Sequence, residues 1–206
     1  MAPGWEVGQL TGPKTGALHG FPPGAGWRDL HPVHTWDGPG SKAPDYLPFV
    51  GGITMPVLRE SKEQERHGTF HVNHDYRADS NIHIHVHWGS TNTHTGVCQF
   101  TIEWTYARMQ QGAAPPFAFD AFLATSTLTI EQAGCGLVNG HQVAESVAFL
   151  PPNFDVDGLL HVRVARLGGQ GLDTLTGDAW LYGFDVHHEL GQIATHNRTR
   201  GDGWVY

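Results

Sequence analysis

From Asn81 to Trp88 the chain reads Asn-Ile-His-Ile-His-Val-His-Trp, an alternation that an extended strand satisfies and a helix does not. Successive side chains of a strand point to opposite faces. Ile82, Ile84, Val86 and Trp88 therefore share one face, and His83, His85 and His87 share the other, about 6.5–7 Å apart along the chain. A strand this one-sided needs a second layer to cover its apolar face.

The same period recurs downstream. Phe70 and Val72 alternate with His71 and Asn73 over Thr69–His74. Cys98, Phe100, Ile102, Trp104 and Tyr106 alternate with Gln99, Thr101, Glu103 and Thr105. Further runs are Ala121–Glu131, Val143–Phe149, Leu159–Arg166 and Asp178–Glu189, the last with Trp180, Tyr182, Phe184 and Val186 on one side. Turn-rich pieces separate them: Gly89–Thr93, Gly112–Pro116, Pro151–Asn153 and Gly168–Gly171. No window has helical periodicity. The expectation is an all-β fold, an antiparallel β-sandwich or jelly roll spanning residues 51–206. Gly89–Gly96 reads as a turn joining two paired strands. That register sets His87 opposite Gln99, His85 opposite Thr101 and His83 opposite Glu103.

Residues 1–50 differ. They hold 9 Gly and 8 Pro, which exclude long helices and central strands. They also carry Trp5, Phe21, Trp27, Trp36, Tyr46 and Phe49, unlike a disordered tail. The segment reads as an extended N-terminal arm that packs on its own domain, on a neighbouring copy or on a different protein.

Charge and cysteine content narrow the function classes. The net charge is −8 with neutral histidines, against a basic nucleic-acid binder. With all 15 histidines protonated it reaches +7, so mild acid reverses its sign. Cys98 and Cys135 are too few for a disulfide framework, and Cys98 reads as a buried free thiol. The Met1–Glu6 stretch has no export-signal character, and no run is long enough for a membrane span. The expectation is a soluble chain folding in a reducing cytoplasm.

Catalytic signatures are missing. There is no Gly-x-Ser-x-Gly elbow, P-loop or dinucleotide fingerprint. Gly168-Gly169-Gln170-Gly171 reads as a loop. Asp155-Val156-Asp157-Gly158 begins like a calcium loop but lacks its distant Glu, and reads as a turn. His74-Asp75 and His187-His188-Glu189 read as strand-end hydrogen-bond partners. No catalytic, cofactor-binding or metal-ligating residue is assigned, and the chain is expected not to be an enzyme.

The His83/His85/His87 face has three readings: a solvated outer wall, a subunit interface, or a zinc-binding face. For the last, two histidines at i and i+2 supply only two ligands. His85-Val86-His87-Trp88-Gly89 is similar to the His-x-His-Trp-Gly strand of the α-type carbonic anhydrases. That resemblance implies a third zinc-binding His near Met109 and Gln110, where none stands.

A broader resemblance joins Gly26-Trp27-Arg28-Asp29-Leu30, Pro48–Ile53, Phe70–Tyr76, Ile82–Trp88, Glu103–Ala107 and Phe184–His188. In this order they resemble a family of small structural proteins of tailed bacteriophages, over residues 26 to about 190. Asn73 and Arg77-Ala78-Asp79 depart from that family's pattern, which has Pro and a Gly-containing turn there. The resemblance implies a non-enzymatic virion β-structure protein, made in the host bacterial cytoplasm. It would be tail-, collar- or fibre-associated, or would decorate the head. A homo-oligomer is expected, a trimer first, with the arm docked on other virion proteins and no nucleic acid, membrane or cofactor. Clustered imidazoles on an assembly face would then loosen the particle at acid pH. The alternatives are a zinc-dependent carbonic-anhydrase-like enzyme, and a carbohydrate-binding module using Trp5, Trp27 and Trp36.

Overall fold

Strands need partners for their backbone groups and a cover for their apolar face, and both demands are met by two stacked antiparallel sheets. A computed structural model describes residues 26–110 and 119–191. Within them the strands are β1 Trp27–Leu30, β2 His34–Asp37, β3 Asp45–Pro48, β4 Thr54–Leu58, β5 Glu63–His71, β6 Ile82–Ser90, β7 Val97–Ala107, β8 Ser126–Ala133, β9 Gln142–Glu145, β10 Leu159–Leu167 and β11 Ala179–Glu189. One sheet runs β3-β4-β11-β6-β9, with β1 also paired to β11. The other runs β2-β5-β10-β7-β8. The chain is a β-sandwich. Among the described residues no helix is long and apolar enough to cross a membrane.

The alternating runs supply the core. Ile82, Ile84, Val86 and Trp88 of β6 are fully buried, as are Cys98, Phe100 and Ile102 of β7. Each large buried side chain contributes roughly 1.5–3 kcal/mol. The sheets meet through edge-to-face rings: Trp88 with Phe100 at 5.8 Å and Phe70 with Phe184 at 5.9 Å between centroids. Cys98 is a free thiol in this core, and burial pushes it up to about 12.

One expectation is corrected: β6 and β7 are not a hairpin. They lie in opposite sheets, and Gly89–Gly96 carries the chain across the sandwich. His85 pairs with Asp185 and Glu145, and His83 pairs with His187. Gln99, Thr101 and Glu103 instead pair with Glu131, Thr129 and Thr127 of β8. Alternation identified which residues face the core, but two strands can share a core from opposite sides.

The described part of the Gly/Pro-rich segment packs on its own domain, one of the three partners expected for it, through short strands of both sheets. β1 pairs with β11, β2 with β5 and β3 with β4. Gly and Pro exclude central strands, yet short strands at sheet edges tolerate them, and Pro48 ends β3. Phe49 packs edge-on against Trp180 and Tyr182. Trp5 and Phe21 lie outside the described residues.

One buried cation ties the layers together. Arg166 of β10 and Asp173 both have fully buried side chains, joined by Nε–Oδ2 at 2.8 Å and Nη2–Oδ1 at 2.9 Å. Arg166 also donates to the carbonyls of Leu58, Gly177 and Leu175. These five bonds match the five donors of a guanidinium. Asp173 in turn accepts from the Gln99 amide at 3.2 Å. The set thus links β10 and β7 of one sheet with β4 of the other.

Removing one partner of such a pair leaves a buried charge uncompensated, at a cost of about 3–5 kcal/mol. Asp173→Ala is expected to lose that much in urea unfolding, and Arg166→Met less than the single-partner loss when combined with it. An Asp173→Ala variant as stable as wild type would refute this role.

Candidate functional site

Four strands set a polar cluster on the outer face of the β11-containing sheet. β6 contributes His83, His85 and His87 by simple alternation. β11 needs a correction of parity first. Ala179 and Leu181 face the core, and a regular strand would then turn Gly183, Asp185 and His187 inward. A bulge between Leu181 and Gly183 inserts Tyr182 and reverses the parity. Phe184 and Val186 become core residues, and Asp185 and His187 join the histidines outside. Tyr182 points outward and donates to the Asn139 carbonyl at 3.0 Å. The expectation that Trp180, Tyr182, Phe184 and Val186 share one face is therefore corrected: Leu181 is the core residue at the bulge. β9 adds Glu145, and β1 adds Asp29 and Trp27.

Asp185 is the centre of the cluster. Its side chain is 4% exposed, with Oδ2 at 2.7 Å from His87 Nε2 and Oδ1 at 3.3 Å from His85 Nδ1. Burial pushes its carboxyl up, but the bonds to His85 and His87 outweigh that and hold it well below the usual carboxylate range. The same contact with Asp185 raises His85 above its ordinary value, against its burial. The other ring nitrogen of His85, Nε2, faces Glu145 Oε2 at 2.8 Å and His187 Nδ1 at 3.3 Å. Burial lowers His187. His87 Nδ1 faces His141 Nε2 at 2.9 Å. Trp27 stands edge-on over His83 and His187, at 5.4 and 4.9 Å between centroids.

Beside the cluster opens a groove of about 540 Å³, with Asp29, His31, Arg66, His87, His141 and Asp185 in its wall. Two ligand-competent sets overlap in the cluster: Asp29, His85 and His187, and His85, His87 and Asp185. In each, the ligand atoms lie within 4.8 Å of one another. The two-ligand limit inferred from one strand is thus removed by its neighbours. Long-range pairing brings in Glu145 and Asp29, and no local pattern marks them. Asp185 and His187 did carry a local signal, since they alternate with Phe184 and Val186 as the β6 histidines alternate with their apolar neighbours.

Other expected site features fall elsewhere. Met109 and Gln110, where the carbonic-anhydrase resemblance places a third His, follow β7 of the opposite sheet and do not adjoin His85 and His87. His74 pairs with Asp157 at 2.5 Å rather than with Asp75. Asp75 instead binds Arg28 and lies 3.9 Å from His188 Nε2. Glu189 binds Arg77. Asp157 has φ of 61° in the turn it shares with Asp155, Val156 and Gly158.

Glu103 belongs to a second polar cluster, on the outer face of the other sheet. Arg163 binds Glu65, reaches Glu63 at 2.8 Å and lies 3.2 Å from Glu103, and Lys42 binds Glu63 at 2.8 Å. Here guanidinium and ammonium groups balance the carboxylates.

No family model and no curated protein matches the chain. Among solved structures, it is similar to TmCBM61 in complex with beta-1,4-galactotriose, at 6% identity and a TM-score of 0.36. The match covers 79% of this chain and 88% of that one.

The Arg163 cluster gives a pH prediction. Burial pushes Glu65 up, but its bonds to Arg163 and His67 more than offset this and hold it below the ordinary value. A depressed carboxylate stabilises the fold fully above its unfolded pKa of roughly 4.3, and the contribution is lost as pH falls toward the folded value. Glu65→Gln is expected to cost about 1–3 kcal/mol at neutral pH, with the gap from wild type closing below about pH 4.5. Urea titrations at several pH values check this. A gap that persists unchanged to about pH 3 would contradict it.

Proposed function

We propose that the chain is a non-enzymatic structural component of a tailed-bacteriophage particle, acting through assembly of a homotrimer in the tail, collar or head decoration. One observation carries the reading. Most of the segments that resemble the phage family fall on strands of both sheets, and they supply much of the sandwich core through Phe70, Ile82, Ile84, Val86, Trp88, Trp104, Phe184 and Val186, although Trp27, Val50 and Ile53 of the same segments are exposed. The resemblance is thus spread over both sheets rather than confined to one short motif.

An assembly role also gives a use to an apolar surface. Leu137, Val138, Val143, Val147 and Leu150 are 40–70% exposed in a single stretch on and around the edge strand β9. Edge strands with exposed apolar side chains are prone to associate unless covered. A neighbouring copy of this chain would cover this one.

Native mass measurement of the purified chain is expected to give a trimer. Val147→Asp with Leu150→Asp should weaken association by at least about tenfold, or ~1.4 kcal/mol, with the circular dichroism spectrum kept. Proteomics of purified particles should detect the chain at structural copy number. A monomer would overturn the assembly reading, and absence from particles the virion reading.

A second reading, carbohydrate binding, is favoured by the placement of two tryptophans. Trp27 and Trp36 lie on β1 and β2, at the surface of opposite sheets, with 43% and 38% of each exposed. Trp36 stacks on His67 at 5.3 Å with an interplanar angle of 10°. Trp36→Ala and Trp27→Ala would each abolish glycan retention if this reading holds. Wild-type protein that binds nothing on a glycan array removes it.

A further inference from the structure

Three carboxylates meet in the histidine cluster, and none of them pairs with a Lys or Arg among the described residues. Asp185 contacts His85 and His87, Glu145 contacts His83 and His85, and Asp29 lies within reach of His85 and His187. The Arg163 cluster, on the other sheet, balances its carboxylates with fixed cations. Among the described residues, imidazoles are the groups in contact with this charge, and imidazole is the commonest metal ligand when neutral.

We propose that His85, His187 and Asp29 form a site for a borderline transition-metal cation, zinc being the best fit, with Asp185 positioning His85 from behind. The geometry supplies the first argument. His85 Nε2 and His187 Nδ1 are 3.3 Å apart. Two nitrogens bound to one tetrahedral zinc at 2.0–2.1 Å are separated by about 3.3–3.4 Å. The ligand atoms of all three residues already lie within 4.8 Å of one another. They come from β6, β11 and β1, so the fold itself brings them together.

The second argument is the buried carboxylate. Asp185 Oδ1 is buried, and its facing group is His85 Nδ1 at 3.3 Å. Metal-ligating histidines commonly donate their other ring N–H to a carboxylate, which fixes the tautomer and strengthens the ligand. An Nδ1–H of His85 turned to Asp185 Oδ1 leaves the Nε2 lone pair facing His187. Asp185 also fixes His87 through Oδ2, so that ring is already engaged at Nε2.

Donor type and surroundings select the metal. Two imidazoles and a carboxylate suit zinc, whereas calcium and magnesium need oxygen ligands in larger number. Trp27, edge-on to His187 and His83, supplies an apolar cover. Glu145 Oε2 shares a proton with His85 Nε2 at 2.8 Å, and a metal that displaces this proton to solvent would gain Glu145 as its fourth ligand. A bound ion would clamp β1, a four-residue strand, to β6 and β11.

The test uses the full chain and zinc or cobalt(II), and it does not depend on the virion reading. Calorimetry is expected to show one tight zinc ion per chain, and cobalt(II) a tetrahedral d–d absorption band. His187→Gln and Asp29→Asn should each weaken binding about 10-fold or more, and Asp185→Asn by about 10–100-fold. His87→Gln should change it less than about threefold, because that ring lies on the far side of Asp185. Zinc should slow hydrogen exchange at residues 27–30 in wild type but not in Asp29→Asn, which reads the clamp without reference to affinity. His187→Gln and Asp29→Asn alter partly exposed side chains, so both should fold. Binding lost in His87→Gln but kept in His187→Gln would move the ion to the His85/His87/Asp185 set and overturn the proposal. So would several weak ions per chain insensitive to all of these changes, or no binding.

Discussion

A pleated strand offers two faces, and β11 has to serve both with a sequence that does not alternate regularly. Leu181 and Phe184 both belong in the core, three residues apart. An unbroken strand would set one of them outside and would turn Asp185 and His187 into the apolar interior. A buried carboxylate without partners is costly enough to forbid that arrangement. The Tyr182 bulge resolves the conflict with one extra residue, and Gly183 next to it has open space where a Cβ would sit. The place of Asp185 and His187 on the outer face follows from that parity change. Asp185 comes to lie opposite His85, and His187 opposite His83.

Much of the sandwich was legible because its central strands bury one side. Runs such as Ile82–Trp88 and Cys98–Tyr106 carry their structure in their period, and each lies in a strand with the same residues inward. Sheet membership was not legible. Trp88 and Cys98 both face inward whether their strands are neighbours or opposed, so period alone cannot separate a hairpin from a crossing. The strands from 27 to 48 were hidden for another reason. They are four residues long and lie at edges, where Gly and Pro carry no penalty and alternation has no room to show. Composition there marked what the chain could not be, a helix or a central strand, and left open what it was.

The two polar clusters show how differently a sheet can neutralise its outer face. On one side Arg163 and Lys42 hold Glu63, Glu65 and Glu103 in a network of permanent charges. On the other, Asp185, Glu145 and Asp29 face four histidines, with the Trp27 indole over two of them. Imidazole can balance a carboxylate by taking a proton or can share it with a cation, so this face keeps a choice that the first has given up. His85 was visible as one of three alternating histidines. What the single strand could not show is that the residues opposite His85 would be the acids Asp185 and Glu145 rather than Thr101.

Read as an extended arm, the N-terminal segment had three candidate partners: its own domain, a neighbouring copy or a different protein. Folded, it gives β1 to the edge of β11, where Trp27 covers His187, Arg28 binds Asp75, and Asp29 reaches toward His85. Trp27 and Asp29 thus reach the face that the histidine strand defines, while Arg28 between them lies on the other face and holds Asp75. β1 has only four paired positions to hold it, so these side-chain contacts are a large share of what keeps it in place. Occupancy of the cluster and retention of β1 are consequently one equilibrium: whatever binds through Asp29 also stabilises the strand that presents it, by mass action on the closed form.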